Sequence, residues 1–454
     1  MTMPLIDVYN HLPVFAQNIA FSIAGANIQR TRYGAGFHRM LEEFESHKNW
    51  SQDQLYEWRD ERLRKLIDHA YRTVPYYRNL MNEGGVNPQS IKSAEDLTRL
   101  PILTKDMVKA NPSSFVSSKA KDMKILHVHT SGTTGSGFQF ASTLECQQAQ
   151  FACFWRFYRQ HGLEIGTWQA QFSSRNVVPK RTIKPPFWRI DKPGKRYYMS
   201  AFHESPENLK WYYEIVSEQR FEWISGYPSL MTLLAQWMNE RGLKFDFVKA
   251  VTCGAENLLE HQASAIKRAF GVRPVQAYGQ TENVAIFSEQ PDGKILVDED
   301  FSVVEFLPIE GIKESLVIGT CLYNYATPLI RYCTKDIASV SNADGQRREV
   351  LSLDGRSEDY LVMPDGTKIG KLDHVFKDTP NFKEAQIYQH EDYSVSLRVV
   401  GDPHSCIEDE KVALKAFRGS VGAAVPVEFE YVPALERTNS AKLRFVVSEV
   451  EHGA

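Results

Sequence analysis

The stretch from residue 221 to residue 282 alternates short apolar runs with amphipathic runs, and this pattern leaves few folds open. The runs Phe221–Ser225, Phe247–Cys253 and Val272–Tyr278 have the length of buried strands, and the residues between them repeat apolar positions at helical spacing. A β-α-β-α-β order implies parallel strands joined by right-handed crossovers. The sequence therefore predicts an α/β fold whose sheets contain parallel strands.

The segments that follow these three strands should lie at one edge of the sheet, where open α/β sheets bind ligands. They are residues 226–229, 254–256 and 279–282. We expect Glu256, Thr281 and Glu282 to lie near one another there. A glutamate in a loop is usually only solvated, whereas a glycine-flanked Thr-Glu pair at a strand end suits magnesium or a phosphate. Both interpretations stay open.

Eight consecutive residues, Thr130 to Gly137, are glycine, serine or threonine. Such a run can aim successive backbone N–H groups at a polyphosphate, and it can equally form a surface loop without a ligand. A Walker-type phosphate loop would need a lysine where Phe138 stands. The sequence therefore excludes a Walker ATPase.

Residues 175–196 carry eight cations and one acid, Asp191, among prolines and aromatic residues. One interpretation is a solvated basic loop. The other is an anion-binding loop for a second substrate, with Arg175, Arg181, Lys184 and Arg189 as the candidate residues.

The length, charge and composition of the chain argue against several other classes of protein. At 454 residues we expect two or three domains, and a net charge of −3 gives no overall field for gathering nucleic acid. Six cysteines show no Cys-x-x-Cys pair, which argues against a zinc site or a disulfide framework. Gln17, Asn18 and Ser22 interrupt the apolar run Val14–Ala24, so we expect no signal peptide, no membrane insertion and a cytoplasmic location. We expect a monomer or a dimer.

A stretch of low apolar content, Gly355–Asp359, separates the large α/β part from a smaller α+β part. Beyond it, Tyr393–Val399 and Val427–Tyr431 alternate as half-buried strands. The sequence therefore predicts domains at residues 1–356 and 357–454.

The order of five motifs resembles the adenylate-forming superfamily of acyl-CoA synthetases, luciferases and adenylation domains. The motifs are Thr130–Gly137, Tyr278–Glu282, Arg331–Asp336, Gly355–Asp359 and Ser440–Lys442. Three further segments are similar to the phenylacetate–CoA ligase branch: Val74–Tyr77, Ile224–Ser229 and Gly254–Glu256. The sequences that flank them are most similar to the capsular-polysaccharide-biosynthesis members of this branch.

The resemblance implies a chemistry in two steps. A carboxylate attacks the α-phosphate of ATP and forms an acyl adenylate with release of pyrophosphate. A small, mobile C-terminal domain then rotates, and an acceptor thiol or amine displaces AMP. ATP and Mg²⁺ are the implied cofactors, with CoA a further candidate.

The resemblance also assigns roles to residues. Binding of ATP or AMP is assigned to Thr130, Ser131, Gly132, Thr133, Thr134, Gly135, Gly254, Ala255, Glu256, Tyr278, Gly279, Thr281, Asp336 and Arg356. Lys442, Thr281 and Glu282 are the implied catalytic residues, with Glu282 also the ligand of Mg²⁺. Glu358 stands at the hinge, and Tyr227, Pro228 and Ser229 would line the acyl pocket.

Four positions depart from the family pattern. Phe138 stands near a common lysine, Lys335 replaces the usual glycine before Asp336, Ala441 replaces the glycine before Lys442, and Glu358 replaces an aspartate. None of these removes a reacting group, so the sequence predicts an active enzyme.

The acceptor stays open at this stage. An amine acceptor would give an amide in surface-polysaccharide or related biosynthesis, and CoA would give a thioester. An inactive binding or regulatory protein on the same scaffold is the third alternative, against which stand the retained Thr281, Glu282, Asp336, Arg356 and Lys442.

Overall fold

The structure is a computed structural model. It describes residues 5–129, 139–173, 177–309, 314–341, 347–356, 361–364, 368–369, 372–376, 379, 381–422, 425–437 and 443–450. Its α-helices are α1 Leu5–His11, α2 Val14–Arg32, α3 Ala35–Ser46, α4 Gln52–Thr73, α5 Pro75–Glu83, α6 Lys105–Ala110, α7 Leu144–Gln160, α8 Leu209–Gln219, α9 Pro228–Glu240, α10 Glu260–Phe270 and α11 Ile407–Val421.

The strands follow the same chain order. They are β1 Ile125–His129, β2 Gln139–Thr143, β3 Gln169–Ser173, β4 Trp188–Asp191, β5 Arg196–Ser200, β6 Trp223–Gly226, β7 Ala250–Cys253, β8 Val275–Gly279, β9 Ile286–Glu289, β10 Ile295–Val297, β11 Ser302–Pro308, β12 Ser315–Cys321, β13 Tyr332–Ser341, β14 Glu349–Arg356, β15 Leu361–Val362, β16 Lys368–Ile369, β17 Glu384–Gln389, β18 Val395–Val400, β19 Val427–Tyr431 and β20 Val446–Ser448.

The chain forms two compact units. Unit 1 contains residues 1–22, 166–275 and 354–454, and unit 2 contains residues 23–165 and 276–353. Unit 1 thus joins three segments that are far apart in sequence.

The first sheet of unit 1 runs in the order β7-β6-β3-β5-β4. β7, β6, β3 and β5 are parallel, and β4 is antiparallel to β5. Helices α8, α9 and α10 supply half of the buried apolar side chains in the core that they form with this sheet, among them Tyr212, Leu230 and Ile266. The predicted α/β fold with parallel strands is confirmed.

The C-terminal part of unit 1 has its own core. Its sheet runs β19-β18-β17-β20, with β17 and β18 antiparallel and the outer pairs parallel. Ala413 and Phe417 of α11 pack against Ile387 and Leu397 of this sheet. The predicted smaller α+β domain is confirmed, while the division at residues 356 and 357 stays a prediction.

Unit 2 contains helices α3 to α7 and a largely antiparallel sheet of order β11-β12-β13-β14-β10-β9-β8. Helix α4 begins at a capping box, in which the Ser51 hydroxyl accepts the N–H of Gln54 and the Gln54 side chain accepts the N–H of Ser51. Cys146 and Cys153 of α7 are buried core residues.

Three consecutive acids in unit 2, Asp298, Glu299 and Asp300, are almost completely buried. Arg156 donates to Asp298 and Asp300, and Glu299 accepts from Arg59 and Arg348. Each buried carboxylate therefore has a cationic partner, as burial of charge requires. We interpret this network as structural.

Candidate active site

The regular pairing of β13 is interrupted next to Asp336, one of the residues predicted to bind ATP or AMP. Ile318 pairs with Cys333 and Leu316 pairs with Ile337, so a single residue of β12, Val317, lies opposite three residues of β13. Such a bulge bends a strand and redirects its side chains, and bulges are common next to active sites. The bulge positions Asp336 outside the regular alternation of the strand.

Lys335 occupies the bulge with a φ of 64°. This left-handed conformation costs a residue with a Cβ about 1–2 kcal/mol, whereas glycine adopts it freely. The family's preference for glycine at this position therefore has a backbone cause. Thr334 closes the bulge, since its hydroxyl donates to the carbonyl of Val317 at 2.9 Å and accepts the N–H of Asp336 at 3.0 Å.

Asp336 is held by Tyr278, the first residue of the motif Tyr278–Glu282. The hydroxyl of Tyr278, on β8, donates to Oδ2 of Asp336 at 2.6 Å. Burial, and then the negative charge of Asp336, raise the pKa of Tyr278 well above its ordinary value, so the phenol stays protonated and acts as a donor. The ring of Tyr278 stacks on Phe287 at 4.7 Å, which fixes its direction.

Glu282 lies in the turn that follows β8. The hydroxyl of Tyr332 donates to Oε1 of Glu282 at 3.3 Å. Tyr332 begins β13, so the same strand supports both Glu282 and Asp336. Thr281 is exposed in this turn. The predicted residues Tyr278, Glu282 and Asp336 are thus brought together in unit 2.

A second group of residues meets in unit 1 at the ends of β6 and β7. The Gly254 N–H donates to the carbonyl of Gly226 at 3.3 Å, so the segments after these parallel strands lie side by side as expected. A Cβ on Gly226 would fall 1.8 Å from the carbonyl oxygen of Phe172, and only glycine fits there. The expectation that Thr281 and Glu282 share this edge stays a prediction.

Glu256 joins the start of α9 to the C-terminal part of unit 1. Its Oε2 accepts the N–H of Ser229 at 3.2 Å, and its Oε1 accepts the N–H of Leu443 at 3.2 Å. Ser229 is the second residue of α9, where backbone N–H groups lack partners inside the helix. Ala255, just before Glu256, has a φ of 68°, a strained conformation of the kind that functional sites retain.

Arg437 makes the second link between these parts of unit 1. Its Nη1 donates to the hydroxyl of Ser229 at 2.9 Å, and its Nη2 forms an ion pair with Glu384 of β17. Arg437 and Leu443 also face each other as an isolated antiparallel bridge. Both ends of the segment that carries Lys442 are therefore bonded to the strand-end loops of β6 and β7.

Glu204 completes an acidic cluster around Arg437. Both of its carboxylate oxygens are buried and accept no hydrogen bond from any residue that the structure describes. Burial raises the pKa of Glu204 well above its ordinary value. The positive charge of Arg437 acts in the opposite direction, and the negative charges of Glu384 and Glu256 add to the rise. Burial likewise raises the pKa of Glu384.

Several predicted residues fall outside the described part of the chain or away from these groups. Thr130–Phe138, Arg175, Glu358, Lys442 and the side chain of Arg356 lie outside the described residues. Arg189 is buried, and its guanidinium donates to Gln17, Pro186 and Trp188, whereas Arg181 and Lys184 are exposed. Tyr227, Pro228 and Ser229 are buried at the start of α9.

Sequence reasoning did not find Glu204, Glu384, Arg437 or Tyr332. Glu204, Glu384 and Arg437 lie outside the five motifs, and Tyr332 lies within one but was given no role. The residues that they contact lie 50 or more positions away, as with the 208 residues between Arg437 and Ser229. The one available signal was the glycine-to-lysine departure at residue 335, which marks the bulge.

Comparisons with known proteins agree with this geometry. The model of the CapK C-terminal domain family matches residues 361–449. Protein CapK of Staphylococcus aureus is 24% identical over 458 residues, which cover 98% of this chain and 99% of that protein. Phenylacetate-coenzyme A ligase of Aromatoleum evansii is 25% identical over 331 residues, which cover 69% of this chain and 73% of the relative.

A crystal structure of 2-hydroxyisobutyryl-CoA ligase in the postadenylation state, in complex with 2-HIB-AMP, matches with a TM-score of 0.67. Its sequence identity is 18%, and the match covers 86% of this chain and 89% of that one. The chain is similar to the phenylacetate–CoA ligase branch of the adenylate-forming superfamily. These similarities support an AMP-forming carboxylate ligase.

Two further findings concern a metal ion and a membrane span. Among the described residues, no group of three or more His, Cys, Asp or Glu side chains is arranged to hold a metal ion. Glu282 supplies one carboxylate, which suits Mg²⁺, since this ion is usually bound by one or two carboxylates together with substrate phosphates. No helix in the described ranges is both long and apolar enough to span a membrane.

Proposed function

We propose that the enzyme activates a carboxylic acid as its acyl adenylate and transfers the acyl group to an amine, forming an amide in surface-polysaccharide or related biosynthesis. ATP supplies the AMP group, and pyrophosphate leaves. The α/β fold, the family and the convergence of Tyr278, Glu282 and Asp336 support the first step.

The observation that carries the proposal is the bulge that presents Asp336 to Tyr278. A carboxylate suits a pair of hydroxyl donors such as those of a ribose, because its two oxygens accept charge-assisted hydrogen bonds. Tyr278 occupies Oδ2 at 2.6 Å and fixes the direction of the carboxylate. A structural carboxylate would not need a strained residue, Lys335, immediately before it.

Glu282 would hold Mg²⁺ together with phosphate oxygens of ATP, and the ion would neutralise charge on those phosphates. The hydrogen bond from Tyr332 keeps Glu282 oriented at the end of β8. Thr281, exposed beside it, would contact the α-phosphate.

Lys442 would stabilise the negative charge that develops on the α-phosphate and the carboxylate as they react. Its own placement lies outside the described residues. The bonds of Leu443 to Glu256 and of Arg437 to Ser229 support its assignment, because they tie the flanking residues to the loops that follow β6 and β7.

The extent of the similarities favours the amine acceptor. The match to CapK covers 98% of the chain, whereas the match to the phenylacetate-coenzyme A ligase covers 69%. A chain that diverges from the CoA ligases over nearly a third of its length need not retain their acceptor. CoA is the second candidate, favoured by the names of those ligases.

The test is ATP–pyrophosphate exchange with a panel of carboxylic acids, followed by mass spectrometry of products formed with amino sugars, amino acids or CoA. We expect one class of acid to support exchange and an amine to give an amide with release of AMP. Lys442→Ala should lower adenylate formation by about 100-fold or more, whereas Lys415→Ala, an exposed lysine of α11, should not.

Asp336→Asn should weaken ATP binding, and Asp122→Asn, in an exposed turn, is its matched control. Exchange with no acid at all would contradict the first step. If CoA gives a thioester and no amine gives an amide, the acceptor is CoA. If Lys442→Ala catalyses exchange at the normal rate, Lys442 has no role in adenylate formation.

A further inference from the structure

The N-terminal helices α1 and α2 carry their polar and apolar side chains on unexpected sides. In a helix that packs on a protein core, the apolar side chains face inward and the polar ones face water. Here the polar residues that interrupt the apolar run face the protein, and large apolar residues face outward.

The inward side is bonded to the edge strand β4 and to the residues beside it. Gln17 is only 2% exposed and accepts from Arg189. The Asn18 carbonyl oxygen accepts the N–H of Ile190 at 3.0 Å, and the Ser22 hydroxyl donates to the carbonyl of Ile190 at 3.3 Å. These bonds fix the rotation of α2 against β4 and the residues beside it.

The outward side forms an apolar stripe, defined as Val8, Leu12, Phe15, Ile19 and Ile23. Phe15, Ile19 and Ile23 are four residues apart on α2, which places them along one face of that helix. Val8 is on α1, and Leu12 lies between the two helices. Phe15, Ile23 and Ile19 are 69%, 67% and 55% exposed. No residue that the structure describes covers this stripe.

Cations border the apolar stripe. We call the exposed residues Lys180, Arg181, Lys184 and Lys192 the basic rim. Arg181 donates to the backbone carbonyl of Asn10 at 3.4 Å, and the N–H of Lys192 donates to Ser22 at 3.3 Å, so the rim lies against α1 and α2.

Two further features strengthen the pattern. Ile183, between Arg181 and Lys184, is 85% exposed and adds an apolar side chain to the rim. Residues 8–23 contain no aspartate or glutamate. The face thus combines apolar side chains with positive charge, and the acid nearest to the stripe on the two helices is Asp7 of α1.

We propose that the apolar stripe and the basic rim bind the enzyme to an anionic membrane surface, with α2 lying in the plane of the interface. Such a surface offers both partners that this face needs, since acyl chains accept apolar side chains and anionic headgroups accept the cations. This mode differs from a membrane span, for which no described helix qualifies.

A second copy of the chain fits less well. In a twofold symmetric dimer the same patch lies on both partners, so the basic rims would be brought towards each other. Their mutual repulsion would oppose the association. Charge complementarity therefore favours the anionic surface.

The experiment is cosedimentation of the full chain with vesicles of phosphatidylcholine, alone or in equimolar mixture with phosphatidylglycerol. We expect binding to the mixed vesicles and much weaker binding to phosphatidylcholine alone. The affinity should fall with added salt, because the screening length shortens from about 10 Å at 0.1 M to about 3 Å at 1 M.

The double variant Phe15→Ser/Ile19→Ser should lower the affinity for mixed vesicles by about tenfold or more while ATP–pyrophosphate exchange is unchanged. Ile407→Ser/Val412→Ser is the matched control, since these residues of α11 are 52% and 40% exposed. Arg181→Glu/Lys184→Glu should also lower the affinity by about tenfold or more, and Lys119→Glu/Lys121→Glu, exposed lysines elsewhere, should not.

The proposal is overturned if the wild-type chain does not bind the mixed vesicles, or if the Phe15/Ile19 variant binds them normally. A dimer that this variant converts into a monomer, without vesicle binding, would make the stripe a subunit interface. If the Arg181/Lys184 variant changes only the acceptor's KM, the basic rim binds a soluble anion and not a membrane. This outcome would also contradict the proposal.

Discussion

The backbone N–H of Leu443 donates to Oε1 of Glu256, a residue 187 positions earlier in the chain. The other oxygen of Glu256 accepts from the start of α9. One carboxylate therefore couples the C-terminal segment to the loop after β7. The family resemblance implies a small domain that changes orientation between two steps, and we propose that this contact belongs to the orientation for adenylate formation.

Arg437→Gln tests this docking. The change removes the ion pair with Glu384 and the hydrogen bond to Ser229, so the C-terminal segment should dock less often. We expect ATP–pyrophosphate exchange to fall about tenfold or more, whereas transfer from a supplied acyl adenylate should be retained. Faster hydrogen exchange at residues 443–450 would report the loosened contact directly. Lys415→Gln is the control, and equal loss of both steps would contradict docking specific to the first.

Glu358→Pro tests the hinge implied by the family resemblance. Proline fixes its own φ and restricts the residue before it, which limits the rotation that a hinge must absorb. We expect one half-reaction to be damaged far more than the other. Glu358→Ala removes the side chain without this restriction and should leave both near normal. Equal loss in both half-reactions of the proline variant would argue against domain alternation at this residue.

Lys335→Gly tests the strain in the bulge of β13. Glycine adopts a φ of 64° without the steric cost that a Cβ imposes. Lys335→Ala removes the same side chain but keeps the Cβ, so the two variants isolate the backbone effect. We expect the glycine variant to have a free energy of unfolding about 1 kcal/mol greater than the alanine variant, after glycine's larger entropy in the unfolded chain is subtracted. Denaturant unfolding measures the difference, and a more stable alanine variant would contradict the strained conformation.

Glu204→Gln tests the buried acidic cluster through pH. Because burial raises the pKa of Glu204 in the folded chain, the folded state binds more protons than the unfolded state above the ordinary glutamate pKa of about 4.3. The wild type therefore loses stability as pH rises from there towards the raised pKa. The variant cannot ionise, so its advantage in free energy of unfolding should be small near pH 4 and should grow with pH. Exposed Glu218→Gln should show no such growth, and a constant difference would contradict the raised pKa.

The sequence predicted those parts of the fold that local patterns encode. The strands and helices from residue 221 to residue 282 follow from apolar runs whose spacing is set within a few residues. The N-terminus of α4 follows from Ser51 and Gln54, which bond to each other. Tyr278 and Asp336 could be paired only through the family resemblance, because no local pattern connects residues 58 positions apart.

Other features depend on tertiary contacts that no local pattern reveals. Gln17, Asn18 and Ser22 interrupt an apolar run, but the sequence could not show that these residues face inward. Their partners lie 168 to 172 residues later. The buried Glu204 looks like any loop glutamate until Arg437 and Glu384 are brought beside it.

The assembly of unit 1 from three distant segments has a consequence for biosynthesis. Helices α1 and α2 are synthesised about 170 residues before their bonding partners, Arg189 and Ile190. At a synthesis rate of roughly 5–20 residues per second, β4 is made roughly 10–30 s after these helices. During that interval Phe15, Ile19 and Phe21 are all exposed to chaperones, and of these three only Phe21 later packs against Tyr198. Arg437 and Leu443, which complete the unit, follow β4 by about 250 residues.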